Sequence, residues 1–304
     1  MAIERVRIAI RPKGSTDPWT TIRRTNDALT VGTETQRSDN VRSDRLRDGQ
    51  KVTGLTVGGT VSFEMTTAEY DDILAAALCS TWLTDTPTAG TDELRVGTAD
   101  IQHDVLKSYL DSDRHVLMSG MYVSQLQLTM SAGQKITGQA TFMGESHDDE
   151  YDPSGDTFND PADPIFFDSS NNLSSLMIDG SAISGMCITG MSLAIANGFQ
   201  SDQCVGSLHQ KHHKGSVDIT GQKTIRMSAA ALDLWKQTLT NTPISSSFTM
   251  GDGSNSYVFS LGKEYLSGDL PSGGLDQILS VQLDTTAAVD DLGSMISIER
   301  TLTP

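Results

Sequence analysis

The sequence SGMYVSQLQLTMSAG, residues 119–133, alternates apolar and polar side chains. Alternation with a period of two gives a β-strand one buried and one exposed face, and a glycine is typical of the turn that ends such a strand. A gapless second copy of the pattern, SGMCITGMSLAIANG, occupies residues 184–198. The alternating apolar residues are Leu126, Leu128 and Met130 in the first copy and Met191, Leu193 and Ile195 in the second. The two segments are either equivalent strands of two domains or a shared local motif.

A strand followed by a helix and then several strands is also predicted twice. Residues 59–63 (GTVSF) predict a strand, and Thr66 and Glu69 have the spacing of a capping box for a helix over about residues 67–79. Residues 215–219 (GSVDI) predict a second strand before a helix that begins at the N-cap Ser228. The expected core faces are Tyr70, Ile73, Leu74, Ala77 and Leu78 in the first helix, and Ala231, Leu232, Trp235 and Leu239 in the second. We therefore expect a mainly β protein with two tandem units, each with a flanking α-helix.

Composition excludes several classes of protein. The 304 residues carry a net charge of −17 and have a mean hydropathy of −0.25. No 18 uncharged apolar residues occur in succession, which excludes a transmembrane helix, and the first residues lack the apolar block of a signal peptide. The three cysteines, Cys79, Cys187 and Cys204, lack the spacing of a zinc knuckle or a disulfide framework. We expect packed thiols in a soluble protein made in the cytoplasm.

Charge is distributed unevenly along the chain. Residues 1–51 contain 11 basic and 7 acidic residues, a net charge of +4, which leaves −21 for the remainder. Such asymmetry is expected when a basic segment docks on an acidic surface of a neighbouring copy, although a solvated loop of mixed charge is an equal alternative. Residues 145–168 are strongly acidic and contain three prolines, which predicts a linker or surface loop. The predicted division is a first unit over residues 1–147, an acidic linker over 148–172 and a second unit over 173–304.

No motif indicates catalysis or a cofactor. The sequence lacks Gly-x-Ser-x-Gly, a Gly-rich phosphate loop and an EF-hand register. The histidines of HQKHHK, residues 209–214, alternate with lysines that would repel a cation, which favours a solvated loop or hairpin over a metal site. We expect no enzyme activity, no catalytic residue, no metal and no cofactor.

Three segments in order resemble a known family. They are RSDNVRSDRLRD at residues 37–48, VGGTVSFEM at 57–65 and EYDDILAAAL at 69–78. Together with GMYVSQL at 120–126 and TGQATFMG at 137–144, they resemble the major tail tube proteins of bacteriophages with long, non-contractile tails. The resemblance implies a β-sandwich or partly closed barrel with a flanking helix, here in two tandem tail-tube-like units.

The resemblance also implies a function. Proteins of this family form rings that stack into a hollow tube, through which genomic DNA passes into the host. Two units in one chain favour a trimer that forms a pseudo-hexameric ring, with a hexamer of chains as the rival. The implied partners are the tape measure protein, the tail terminator, the distal tail proteins and double-stranded DNA that passes without specific binding. The implied location is the virion tail, assembled in the host cytoplasm without membrane contact.

The sequence also leaves alternative functions open and offers candidate residues for contacts between copies. The alternatives are a terminator or distal tail ring, and a receptor- or carbohydrate-binding β-protein of the virion. An acidic inner wall would repel DNA and keep it sliding, since basic surfaces hold phosphates. A charged loop that orders on assembly would pair with the next copy or ring. The residues proposed for these contacts are Arg37, Arg42, Arg45, Arg47, Asp44 and Asp48.

Overall fold

A computed structural model of the chain describes residues 5–44, 46–161, 165–183, 185–271, 276 and 278–303. The elements up to residue 159 are β1 (Val6–Pro12), β2 (Trp19–Thr21), β3 (Asn26–Asp27), β4 (Thr30–Arg37), β5 (Gln50–Glu64), α1 (Asp71–Ala77), β6 (Asp92–Arg95), β7 (His103–Tyr109), β8 (Arg114–Ser131), β9 (Thr137–Gly144), β10 (Ser146–Asp148) and β11 (Phe158–Asn159). Those that follow are β12 (Leu173–Ile178), β13 (Ser181–Ala182), β14 (Cys187–Asn197), β15 (Gln200–Asp202), β16 (Lys211–His213), β17 (Val217–Arg226), α2 (Ala229–Thr240), β18 (Ile244–Gly251), β19 (Ser256–Ser267), β20 (Ser280–Ala287) and β21 (Ser297–Thr301). The predicted mainly β fold with two helices is confirmed.

The same chain of antiparallel strand pairs occurs twice. In the first half the order across the sheet is β1–β7–β8–β9–β5–β4. In the second half it is β12–β18–β19–β20–β17–β14. We call these sets, each with its helix, the first and second units. The boundaries drawn from the sequence at residues 147 and 173 stay a prediction.

The registers of the pairs relate the two units residue by residue. The buried positions Val57, Val61 and Phe63 of β5 correspond to the buried positions Ile219, Lys223 and Ile225 of β17. The same registers match Gly144 at the end of β9 to Ala287 at the end of β20. Along β8 and β19, Tyr122 corresponds to Tyr265.

The two sequence copies that define the strand pattern lie side by side. Strand β8 pairs antiparallel with β14, and Leu128 stands directly opposite Leu193, its equivalent in the sequence match. In the repeated order of pairs, however, β8 corresponds to β19, and β14 corresponds to β4. The match is therefore a shared local motif at the junction of the units. The junction joins both units into one band of strands in the order β4–β5–β9–β8–β14–β17–β20–β19.

Both predicted helices are present, but their ends differ from the expectation in one case. Helix α2 begins after Ser228, whose side chain accepts a hydrogen bond from the backbone N–H of Ala231, as predicted. Helix α1 is shorter than predicted and has no side-chain cap. The carboxylate of Glu69 instead accepts hydrogen bonds from the Thr66 hydroxyl and the Arg23 backbone N–H. Leu239, expected in the core, is exposed, whereas α2 buries Ala231, as predicted, and also Leu234.

The units also exchange contacts at the end of the chain. Strand β21 pairs with β19 of the second unit and with β6 of the first. Arg300 on β21 forms ion pairs with Asp71 at 2.6 Å and with Asp92 at 2.8 Å, and Asp71 also accepts the Tyr257 hydroxyl proton at 2.7 Å. These contacts and the β8–β14 junction hold the two units together as one body.

The acidic segment is more than a linker or surface loop. The side chain of Asp156 accepts hydrogen bonds from Trp19 Nε1 at 2.8 Å and from the Tyr151 hydroxyl at 2.6 Å. Phe158 stacks on Trp19 and Phe167 is buried in the core. The aromatic residues interleaved with the acids therefore supply the buried surface that the charge count alone conceals. None of the helices within the described residues is long and apolar enough to cross a membrane.

Candidate assembly surfaces

The predicted contact residues lie on the loop between β4 and β5, which we call the tip loop and define as residues 38–44 and 46–49. Arg42 forms ion pairs with Asp44 at 2.7 Å and with Asp48 at 2.9 Å, and Arg37 reaches the backbone oxygen of Asp48 at 3.5 Å. These hydrogen bonds raise the pKa of Arg42, and the Arg42 guanidinium lowers the pKa of Asp44. Arg42 therefore shapes the loop itself.

The remaining predicted residues have a different position. Arg47 is exposed, and Arg45 lies outside the described residues. The tip loop also exposes two apolar side chains that the sequence argument missed, Val41 at 99% and Leu46 at 65% of their surface. Both residues are flanked by charged side chains, a pattern that is typical of a solvated loop. Isolated exposed apolar residues are common, but two on one charged loop suit a contact surface.

The second unit has a counterpart of the tip loop. The tip hairpin, residues 199–215, contains β15 and β16 and connects β14 to β17 as the tip loop connects β4 to β5. It packs on the first unit: the Leu55 backbone N–H donates to the Leu208 oxygen at 2.7 Å, and Gln203 Nε2 donates to the Thr53 oxygen at 2.8 Å. Of the two alternatives predicted for HQKHHK, a solvated loop and a hairpin, the structure has the hairpin, which packs on its own chain.

Three histidines of this region make defined contacts. His212 is buried and its Nε2 lies 2.9 Å from the oxygen of Gly144. His209 Nε2 lies 3.2 Å from Nδ1 of His147 on β10. Among the described residues, no group of three or more histidine, cysteine, aspartate or glutamate side chains could hold a metal ion. Of the expected packed thiols, Cys79 is buried, whereas Cys187 and Cys204 are exposed.

The band of strands ends in two open edges. Strand β4 pairs with β5 on one side and has no strand of the described residues on the other. At the opposite end, residues 265–267 of β19 pair with β20 alone within the described part of the chain. Unpaired edges expose backbone donors and acceptors that can add a strand from another chain. Within the band, the same kind of edge is closed by the β8–β14 junction.

One face of the band is polar. Directly opposed residues form rows across neighbouring strands, and the polar face is defined by three of them. The rows are Ser62–Gln139–Gln127–Ala194–Thr220–Thr286, Glu64–Thr137–Thr129–Ser192–Gln222–Asp284 and Thr60–Thr141–Gln125–Ala196–Asp218. The rows contain three acids and no basic residue, and Arg226 lies beyond them at the end of β17. The opposite face buries Leu126, Leu128 and Leu193.

A family model described as "Phage tail tube protein" matches residues 4–287. The chain belongs to the phage tail tube protein family. No curated protein matches the chain. Since the match covers nearly the whole chain, the resemblance seen in the sequence is confirmed, and the protein is a structural component of the bacteriophage virion, located in the tail.

In a tail tube protein, the candidate functional sites are surfaces for contact between subunits and not ligand pockets. The family is structural and not known for enzymatic activity. The features that qualify for assembly are the open edges of β4 and β19, the polar face and the tip loop. The roles of Arg37, Arg42, Arg47, Asp44 and Asp48 stay a prediction. Sequence patterns alone did not indicate the two edges, because strand pairing across the chain is not encoded in local periodicity.

Proposed function

We propose that three copies of this chain close into a ring and that the rings stack into the tail tube. The observation that carries the proposal is the β8–β14 junction. Inside one chain, the first unit offers the edge of β8 and the second unit covers it with β14. In the repeated order of pairs, β19 corresponds to β8 and β4 corresponds to β14. The open edge of β19 can therefore take β4 of the next copy in the same manner.

The register of the junction predicts which residues meet. Gln125 faces Ala196 and Leu126 faces Ile195 in the junction. By correspondence, Ser267 of one copy faces Gly32 of the next. Strand β19 ends at Ser267, whereas β8 continues to Ser131. Counted onward from Ser267, the half-exposed Leu270 would take the position of buried Leu128 in a longer β19. We expect β19 to lengthen when β4 pairs with it, because the new hydrogen bonds and the burial of Leu270 favour the strand.

The number of copies follows from the two units of each chain. A ring of three chains presents six units, with a junction inside each chain and one between each pair of chains. A ring of six chains is the second candidate, since the sequence does not exclude it. A heterologous contact closes only if the rotation between units divides the circle evenly, so the size of the ring is a property to be measured.

The polar face of the band is the proposed lining of the tube. Glutamine, threonine and serine dominate it, and its charged rows carry acids alone. Each basic residue on such a wall would neutralise a phosphate and hold the duplex, so their scarcity allows double-stranded DNA to slide without specific binding. The wall proposed from the structure is less charged than the acidic wall expected from composition. Much of the negative charge lies elsewhere on the chain.

Partners and alternatives follow from the tube. The tape measure protein would occupy the polar lumen during assembly, and the terminator and distal tail proteins would cover the two ends of the stack. A terminator or distal ring would itself form single rings that do not extend. A receptor- or carbohydrate-binding protein would bind glycans as a dispersed particle.

Electron microscopy of the purified protein across a concentration series tests the proposal. We expect rings and tubes, and mass measurement in solution should show trimers before rings stack. Single rings at every concentration would favour a terminator or distal ring. Dispersed particles, even with the tape measure and tail initiator proteins supplied, would contradict self-assembly.

A further inference from the structure

We infer that the tip loop of one copy docks on the second unit of the next copy in the ring, at the turn formed by residues 288–293. This inference rests on the proposed ring. Its basis is that the equivalent contact already exists inside each chain, where the tip hairpin of the second unit docks on the first unit.

The tip loop and the tip hairpin emerge from corresponding points. The hairpin begins where Gly198 and Ser216 close the β14–β17 pair. The corresponding residues of the first unit, Glu34 and Gly54, pair on β4 and β5 three residues before β4 ends and the tip loop begins. Strands β4 and β5 shift register between Glu34 and Thr35 at this point. Each tip therefore extends from the first two strands of its unit's part of the band, β4 and β5 for the loop and β14 and β17 for the hairpin. The tip hairpin has a docking surface within the chain, whereas the tip loop exposes Val41 and Leu46.

The docking surface on the first unit has four parts. The hairpin contacts the start of β5 through Thr53 and Leu55, the end of β9 through Gly144, and β10 through His147. Phe199 of the hairpin also lies against Tyr122 on β8, with ring centroids 5.0 Å apart. All of these positions are on the side of the first unit that the β8–β14 junction brings next to the hairpin.

The second unit offers the same surface without an occupant from its own described residues. Leu55 corresponds to Val217, Gly144 to Ala287 and Tyr122 to Tyr265. The turn after Ala287 takes the place of β10 and exposes Val289 at 60% and Leu292 at 71% of their surface.

The two surfaces are complementary. The tip loop brings two exposed apolar residues and the exposed Arg47, and the turn offers two exposed apolar residues beside the exposed Asp291. The neighbouring Asp290 accepts hydrogen bonds from the backbone N–H groups of Leu292 and Ser294, which fix the shape of the turn. An apolar centre with charges around it is the usual composition of a protein interface. The occupant is thus a second copy of this chain.

Cysteine cross-linking tests the docking. In a Cys187→Ser, Cys204→Ser background, Leu46→Cys is combined with either Val289→Cys or Leu292→Cys and oxidised gently under conditions that give rings in micrographs. We expect covalent dimers and trimers on a non-reducing gel, with no growth beyond the ring, and at least about tenfold more product than the control pair. That control combines Leu46→Cys with Leu239→Cys, an exposed residue on α2.

The outcomes separate the docking from the ring. Rings with no cross-link above the control would overturn the docking and leave the proposed function intact. Products that grow beyond a single ring would show that the loop reaches a stacked ring, which also overturns the docking. A series that stops at six chains would support the docking and replace the trimer by a hexamer. Absence of rings in micrographs would overturn the ring on which the inference rests.

Discussion

At the scale of single residues, the two units differ in the chemistry of one buried cluster. Lys223 of β17 forms an ion pair with Glu264 of β19, with Nζ to Oε2 at 2.7 Å, and donates to the Ser246 hydroxyl at 3.2 Å. Both charged side chains are almost fully buried, at 6% and 2% exposure. The corresponding positions of the first unit are apolar: Val61, Met121 and Val105. One architecture therefore accommodates an ion pair in one unit and an apolar cluster in the other.

This comparison predicts a large loss of stability for one substitution and almost none for three. Lys223→Met alone leaves the Glu264 carboxylate buried without its partner, so we expect the free energy of unfolding to fall by about 3–5 kcal/mol. The triple variant Lys223→Val, Glu264→Met and Ser246→Val reproduces the first unit, and we expect it to be within about 1 kcal/mol of the natural chain. Chemical denaturation of the three proteins measures both effects. Equal losses in the single and triple variants would show that the pair itself stabilises the fold.

A second prediction at this scale concerns acid stability. Burial favours a raised pKa for Asp27, but hydrogen bonds from Lys107 and Arg24 outweigh it and lower the pKa below its usual value. The native state then binds fewer protons than the unfolded state, so this contribution is present above about pH 4 and is lost as the pH falls further. We expect Asp27→Asn to lower the free energy of unfolding at pH 7. Near pH 3, the difference in this free energy between the variant and the natural chain should become smaller. A constant difference from pH 7 to pH 3 would contradict this assignment.

At the scale of elements, local patterns predicted the strands and helices better than their partners. Alternation identified β8 and β14, and the cap at Ser228 identified α2, because both signals come from neighbours in the chain. The cap expected at Thr66 failed because Glu69 is engaged by Arg23, a contact from a distant part of the chain. The likeness of residues 119–133 and 184–198 left two interpretations open, and only the repeated order of strand pairs, in which β8 corresponds to β19 and β14 to β4, decides between them.

The open edge of β4 gives a prediction for this scale. In the monomer, the amides of β4 on its unpaired side should exchange with solvent quickly, since they lack partners within the described residues. We expect hydrogen–deuterium exchange over residues 30–32 to slow by at least about tenfold when rings form, because the register of the junction places these residues opposite β19 of a neighbour, which then supplies acceptors. Residues 190–196 of β14, already paired with β8, are the internal control and should be protected in both states. Unchanged exchange in β4 on assembly would exclude this edge from the ring.

At the scale of the whole molecule, the tip loop and the band of strands present different kinds of surface. The tip loop carries basic and apolar side chains outward, whereas the band presents a polar face with few charges. Contacts across β21 and the junction hold both units together, so a contact made by the tip of one unit can orient the entire chain. Assembly can then depend on a few exposed residues without a large change in the fold.

The arginines of the tip loop give the first prediction for the assembled molecule. Arg47→Glu reverses an exposed charge while the ion pairs of Arg42 remain, so we expect slower tube formation with monomer stability changed by less than about 0.5 kcal/mol. Reversal of Arg42, Arg45 and Arg47 together should block tubes more completely, because it also breaks the pairs with Asp44 and Asp48. Light scattering during assembly measures the rate, and Arg114→Glu, at another exposed arginine, is the control. Normal tubes from the triple variant would remove the loop arginines from assembly.

The polar face gives the second prediction, which concerns DNA. Lysines in place of Gln125, Gln127 and Gln139 would turn the proposed lining basic, and each lysine that contacts a phosphate adds about 0.9 to the slope of log affinity against log salt. We expect tubes of this variant to retain double-stranded DNA at low salt and to release it at high salt, as filter binding can measure. Lysines at Thr84 and Thr88, exposed in the turn before β6, add positive charge away from the polar face and should retain much less. If both variants bound DNA equally, the polar face would not be the surface that DNA passes, because the charge of the particle alone would then explain the binding.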